Sequence, residues 1–197
     1  MAMAVTEQDI RPGTRDRILN AMFAAVADFG ISRTTVEDVA NRAGLSRQTV
    51  YRYFPSKDIL VLALVIREEE KFLDGIRGAF TGKDDTLEAL HDSTLFVLQY
   101  AREHPLLDRL LETDQATFLP YLTTRSLFVI IRARDVMAEL VRERIPEADR
   151  STLQTSIDIL IRATLSYMIA SSEIPLDHVA RTMARMLYST LHPGGQT

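Results

Sequence analysis

Seven residues in a short stretch carry side chains suited to one kind of chemistry: Arg47, Gln48, Thr49, Tyr51, Arg52, Tyr53 and Lys57. Each is cationic or can hydrogen-bond, and such groups read base edges in the DNA major groove, where arginine pairs bidentately with guanine and glutamine with adenine. The local charge fits a polyanion. From Asn41 to Lys57 the chain carries Arg42, Arg47, Arg52 and Lys57 and no Asp or Glu, although the whole chain of 197 residues has a net charge of -4. Up to Lys57 there are eight Lys or Arg against six Asp or Glu, and beyond it fifteen against twenty-one. Only the amino-terminal part therefore suits contact with phosphate, whose affinity for a surface follows the local sign of charge.

Two short helices hinged at a glycine must position these groups. Thr34 or Thr35 can cap the first, with Glu37 or Asp38 completing a capping box. Val36, Val39, Ala40 and Ala43 then share one face, with the two alanines small enough for a second helix to cross closely. Gly44 sits where a left-handed residue ends that helix, Leu45 plugs the core, and Ser46 caps the next helix. If Val50 and Phe54 face inward, Arg47, Gln48, Thr49, Arg52 and Tyr53 face outward. Thr34, Thr35 and Ser46 can serve as caps, as phosphate ligands, or as both, because the geometry is shared. Phe54 is expected in the core and Tyr51 on the binding face. Upstream, Thr14 to Phe29 reads as an amphipathic helix with Ile18, Leu19, Met22, Phe23, Val26 and Phe29 inward and Gly30 as its stop. Residues 1 to 12 read as a loose arm without a signal peptide.

The stretch from Thr14 to Leu60, about a quarter of the chain, resembles the amino-terminal domain of TetR-family transcriptional regulators, and Thr49 to Lys57 (Thr-Val-Tyr-Arg-Tyr-Phe-Pro-Ser-Lys) matches the family signature. The resemblance implies that Thr35, Tyr51 and Lys57 hold backbone phosphate and that Arg47, Gln48 and Thr49 read bases. Tyr53 stands where many members have His, and Arg42 and Ser46 border the same surface. It also implies a homodimer on a palindromic operator, a small apolar effector in the carboxy-terminal part, and repression as the default outcome.

The rest of the chain reads as helices, making the fold all-α. Residues 1–57 form the expected DNA-binding domain, and 58–197 the effector-binding and dimerisation domain. Ser56 caps a long helix with Ile59, Leu60, Leu62, Ala63, Ile66 and Phe72 on its apolar side, weakened toward its end by Gly75, Gly78 and Gly82. Further helices are expected at Thr86–Glu103, Pro105–Glu112, Thr124–Arg144, Ser151–Ser172 and Leu176–Thr190, punctuated by prolines. Two apolar stripes mark the last pair: Leu153, Ile157, Leu160, Ile161, Thr164, Leu165 and Met168 on one helix, and Val179, Met183, Met186 and Leu187 on the other. They are expected between subunits, the alternative being closure of the subunit's own core. Candidate effector contacts are Phe96, Tyr100, Leu111, Phe118, Tyr121, Phe128, Ile131 and Tyr167. Arg162 either meets a ligand or pairs with Asp158 one turn earlier.

An enzyme is the competing class. His91, His104, His178 and His192 show no metal-ligand spacing, and there is no phosphate-cradling glycine loop or nucleophile elbow. Glu68, Glu69 and Glu70 read as a solvated face, and His91 beside Asp92 as a surface pairing. No catalytic residue, metal or cofactor is expected. With no cysteine and no apolar run near the ~20 residues that span a bilayer, the chain is expected to be soluble and cytoplasmic.

Overall fold

A computed structural model describes residues 13–106, 127–169 and 173–192. Among the described residues the elements are all helical: α1 Thr14–Arg33, α2 Val36–Ala43, α3 Arg47–Tyr53, α4 Lys57–Thr81, α5 Thr86–Glu103, α6 Leu127–Arg144, α7 Arg150–Ile169 and α8 Leu176–Leu191. The chain divides into two compact units after Arg67, within α4. Composition alone places that division at residue 57. The first turns of α4 belong with the amino-terminal unit because they bury Leu60, Val61 and Leu64, and because the Arg67 guanidinium donates to the Asn20 side chain at 2.8 Å.

In the first unit α1 buries Ile18, Leu19, Met22, Ala25 and Val26. Gly30 breaks its regular geometry with φ 79°, a conformation that only glycine adopts cheaply, and a final turn to Arg33 follows. Phe29, expected inward, is 47% exposed, because the kink turns it outward beneath the Arg42 guanidinium, 5.4 Å from its ring centre. α2 buries Val36, Val39, Ala40 and Ala43 as its periodicity predicts. The turn to α3 is closed by Gly44 at φ 63° and ψ 40°, with its N–H directed to the Asn41 carbonyl at 3.2 Å. Val50 and Phe54 anchor α3 in the core.

In the second unit one core joins Leu73, Ile76 and Phe80 of α4, Ala89 and Leu90 of α5, Met137 and Val141 of α6, Leu153 and Ile157 of α7, and Leu187 of α8. The inward stripe of α4 is thus Leu60, Val61, Leu64, Leu73, Ile76 and Phe80, while Ile59 and Leu62 face solvent. Gly75 has a packing role besides its helix-weakening backbone, because it admits a neighbour: a Cβ there would lie 2.1 Å from Cζ of Phe96. α5 starts on an Asp85 cap that accepts the Glu88 N–H at 2.8 Å. Arg144 ties the end of α6 to the α4–α5 connection by donating to the carbonyls of Lys83 and Asp84, each at 2.7 Å.

Candidate nucleic-acid interface

The local sequence assembles the outer surface of α2 and α3 with little freedom. The Thr35 hydroxyl accepts the Asp38 N–H at 3.2 Å, and the Asp38 carboxylate accepts the Thr35 N–H at 2.8 Å and its hydroxyl at 2.6 Å. Of the two possible caps, Thr35 with Asp38 is the one formed. Thr34 is buried and donates to the Gly30 carbonyl at 2.7 Å. Hydrogen bonds from the Thr35 hydroxyl and N–H hold Asp38 below the usual carboxylate range. Ser46 caps α3 by accepting the Thr49 N–H at 3.1 Å, and its oxygen lies 2.9 Å from the Thr49 hydroxyl.

With Val50 and Phe54 inward, Arg47, Gln48, Tyr51, Arg52 and Tyr53 face solvent, and Gln48, Thr49, Tyr51 and Arg52 line an open depression. Tyr51 and Tyr53 are each 41% exposed, costly for aromatic surface and useful where a ring must meet a sugar or phosphate. Arg52 lies over the Tyr53 ring at 5.7 Å. Lys57 donates to the Ser32 carbonyl at 3.3 Å, which holds its ammonium beside the last turn of α1. Two of the basic groups are met by acids of the same unit: Arg47 by Glu37 at 3.5 Å and Arg42 by Asp28. The sequence offered Glu37 only as a possible capping residue and gave no role to Asp28, because both lie outside the basic stretch.

Residues 18–64 match the family model described as bacterial regulatory proteins, tetR family, and residues 85–189 match the bacterial tetracyclin repressor C-terminal domain. The chain belongs to the TetR family of transcriptional regulators. An HTH-type transcriptional regulator of Mycobacterium bovis is 32% identical over 171 residues, covering 83% of this chain and 82% of the relative. The regulator AlkX of Mycobacterium tuberculosis is 26% identical over 175 residues, covering 88% and 82%. Among solved structures, the TetR family repressor AlkX from a Dietzia strain, implicated in biodegradation of n-alkanes, aligns with a TM-score of 0.71 at 26% identity, covering 93% of this chain and 97% of that one. The fatty acid degradation regulator FadR of Bacillus halodurans shares the fold, with a TM-score of 0.61 at 21% identity over 94% and 97% of the two chains. Regulators of the TetR family bind DNA as dimers.

The second unit of this TetR-family chain distributes the remaining candidates unevenly. Phe96, Tyr100 and Ile131 are half-buried, and Phe96 and Tyr100 join Phe72 in a cluster with ring centres 5.1 to 6.2 Å apart. Burial, with the Glu68 charge nearby, pushes the Tyr100 phenol up to about 12. Tyr167 packs on a separate cluster of Leu98, Val179 and Ala180. Leu111, Phe118 and Tyr121 lie outside the described residues, as do the side chains of Phe128 and Met168. Arg162 faces solvent and donates to Asp158 at 2.7 Å, so of its two possible roles the structure shows the ion pair. The stripes of α7 and α8 also divide. Leu153, Ile157, Thr164, Val179 and Leu187 are buried within the chain itself, Leu160, Ile161, Leu165 and Met183 are half-buried, and Met186 is 66% exposed. Ile159, which the sequence reading left out, is 62% exposed.

Two charged clusters go beyond the sequence expectation, which gave Glu69 to solvent and paired His91 with Asp92 alone. Glu69, read as solvated, is buried and accepts from Arg132 at 3.2 Å; it lies one turn before Leu73 on the inward side of α4. His91 is held between two carboxylates, Nδ1 at 2.8 Å from Asp92 and Nε2 at 3.0 Å from Asp177 of α8. Among the described residues no group of three or more His, Asp or Glu is placed to hold a metal ion, and no helix is long and apolar enough to cross a membrane.

Proposed function

We propose that this regulator is a cytoplasmic repressor that occupies a palindromic operator as a homodimer and leaves it when a small, largely apolar effector binds the carboxy-terminal unit. The observation that carries the DNA side of the reading is the exposed face of α3, where Arg47, Gln48, Tyr51, Arg52 and Tyr53 project with no acid on the same helix. Arg47 and Gln48 read bases, assisted by Thr49. Thr35, Ser46, Tyr51 and Lys57 hold phosphate, with Arg42 at the rim. Two copies of α3 roughly 34 Å apart meet successive major grooves, which requires the two-fold pairing. Apolar surface left on α7 and α8, including Ile159 and Met186, supports pairing through these helices.

The half-buried rings of Phe72, Phe96 and Tyr100 support an apolar effector, as does similarity to AlkX, a repressor implicated in n-alkane biodegradation. Effector binding favours a subunit arrangement that no longer matches the groove spacing, and α4, which runs through both units, passes the change on. A coupling of about 1–3 kcal/mol is sufficient for such release. A gel shift with the DNA upstream of the protein's own gene tests the reading. Tight, salt-sensitive binding is expected, weakened about tenfold or more by Tyr51→Ala and by Lys57→Ala, consistent with ~1.4 kcal/mol per lost contact. Unchanged affinity in both variants rejects the site.

A further inference from the structure

The side chain of Glu69 is 4% exposed, deep enough that each carboxylate oxygen needs a partner. One oxygen, Oε2, accepts from Arg132 at 3.2 Å. The other, Oε1, is buried and has no hydrogen-bond partner among the described residues. An orphaned acceptor of this kind costs about 1–3 kcal/mol, and a protein retains one where something else supplies the donor. The surroundings define what that is. Leu73 and Ile76 follow Glu69 on the inward side of α4, and Ala133 and Met137 follow Arg132 on α6, all within one apolar core. The rings of Phe72, Phe96 and Tyr100 cover the adjoining side of α4.

We propose that Glu69, balanced by Arg132, binds the head group of the effector, and that this head group is an uncharged hydroxyl at the end of an apolar chain. The inference rests on the apolar-effector reading above. Charge decides between the alternatives. Arg132 is a permanent cation and cancels one carboxylate, so the pair suits a neutral head group. A carboxylate would bring a further negative charge toward Glu69, whose neighbour Glu70 already acts on it. An ammonium would set a second cation beside Arg132 and would have to shed its hydration in an apolar core. A plain alkane leaves Oε1 without a donor. A hydroxyl donates to Oε1 and adds no charge to the pair.

Calorimetric titration of the full-length dimer with decanol, decanoate, decylamine and decane tests this at constant chain length, with operator release followed in parallel. Decanol is expected to bind about tenfold more tightly than any of the other three, equivalent to ~1.4 kcal/mol. In Glu69→Gln the preference for decanol over decanoate is expected to fall about tenfold, because the negative charge that repels decanoate at this position is removed. Tighter binding of decanoate, decylamine or decane to the unmodified protein overturns the proposal. So does an unmoved decanol-to-decanoate ratio in a Glu69→Gln protein that still binds operator; if that variant loses operator binding, the series on the unmodified protein decides alone. Release of operator by decane or decanoate without a preference for decanol sinks this inference and leaves the effector reading standing. Failure of all four to bind sinks both.

Discussion

At the scale of single residues, the proposed DNA-facing surface is shaped by what restrains its cations as much as by the cations. Arg47 lies 3.5 Å from Glu37 with both side chains exposed, so the pair is worth little in stability, about 0–1 kcal/mol. Its consequence is for binding, because phosphate must compete with Glu37 for the guanidinium while a guanine edge can reward the exchange with two hydrogen bonds. Glu37→Gln is therefore expected to raise affinity for non-operator DNA by up to about fivefold with a smaller gain on operator, lowering the ratio between the two. Fluorescence anisotropy with operator and scrambled duplexes measures both, and an unaltered ratio shows that Glu37 is a bystander. Residues whose roles follow from local spacing, such as Thr35 with Asp38 or Val50 with Phe54, were legible in the sequence. Glu69 with Arg132 and His91 with Asp177 were not, because each pair joins distant helices and no local periodicity encodes the encounter.

At the scale of elements, the order of the described helices could be read from caps and prolines, whereas the helix expected at Pro105–Glu112 lies largely outside the described residues and the phase of α4 could not be read. Its apolar residues run too nearly all round the helix for one stripe to stand out, and tertiary packing selected Leu60, Val61 and Leu64 over Ile59 and Leu62. Glycine was similarly ambiguous. In a helix it costs roughly 1 kcal/mol relative to alanine, which reads as weakness unless a neighbour needs the space. At Gly75 the Phe96 ring does, with three ring atoms within 2.9 Å of an added Cβ, whereas at Gly78 nothing lies within 4 Å. The two glycines should therefore respond oppositely to one substitution. Gly78→Ala is expected to stabilise by about 0.5–1 kcal/mol through the backbone alone. Gly75→Ala gains the same term but must displace a ring held against Phe72 and Tyr100, an overpacking cost of about 1–3 kcal/mol, so a net loss is expected. Thermal or urea unfolding of the two variants reads the sign directly, and stabilisation by Gly75→Ala would show that the Phe96 ring relaxes freely.

At the scale of the whole molecule, the apolar residues of α7 and α8 serve two purposes that a sequence pattern merges into one. Leu153, Ile157, Val179 and Leu187 are consumed by the chain's own core, so the stripe expected between subunits is in large part the inner seam of a single subunit. What remains outside includes Ile159 at 62% and Met186 at 66% exposure, and large apolar groups left in water on the same pair of helices are what a partner surface would cover. On the proposed palindromic operator, dimer formation and recognition are linked, since one copy of α3 reaches only one half-site and gains nothing from the second. Met186→Glu places a charge where burial against a partner would leave it unpaired, without disturbing any residue of the inner seam. The variant is expected to keep its helical content and sediment as a monomer at micromolar concentration. Its operator affinity should fall by a hundredfold or so, toward that of an isolated half-site, on the scale of avidity lost when two linked sites become one. Sedimentation velocity with a gel shift on full and half operators separates the outcomes. A Met186→Glu protein that stays dimeric and binds the full operator unchanged moves the subunit contact off this face of α8, whereas a monomer with undiminished operator affinity breaks the link between two-fold pairing and recognition.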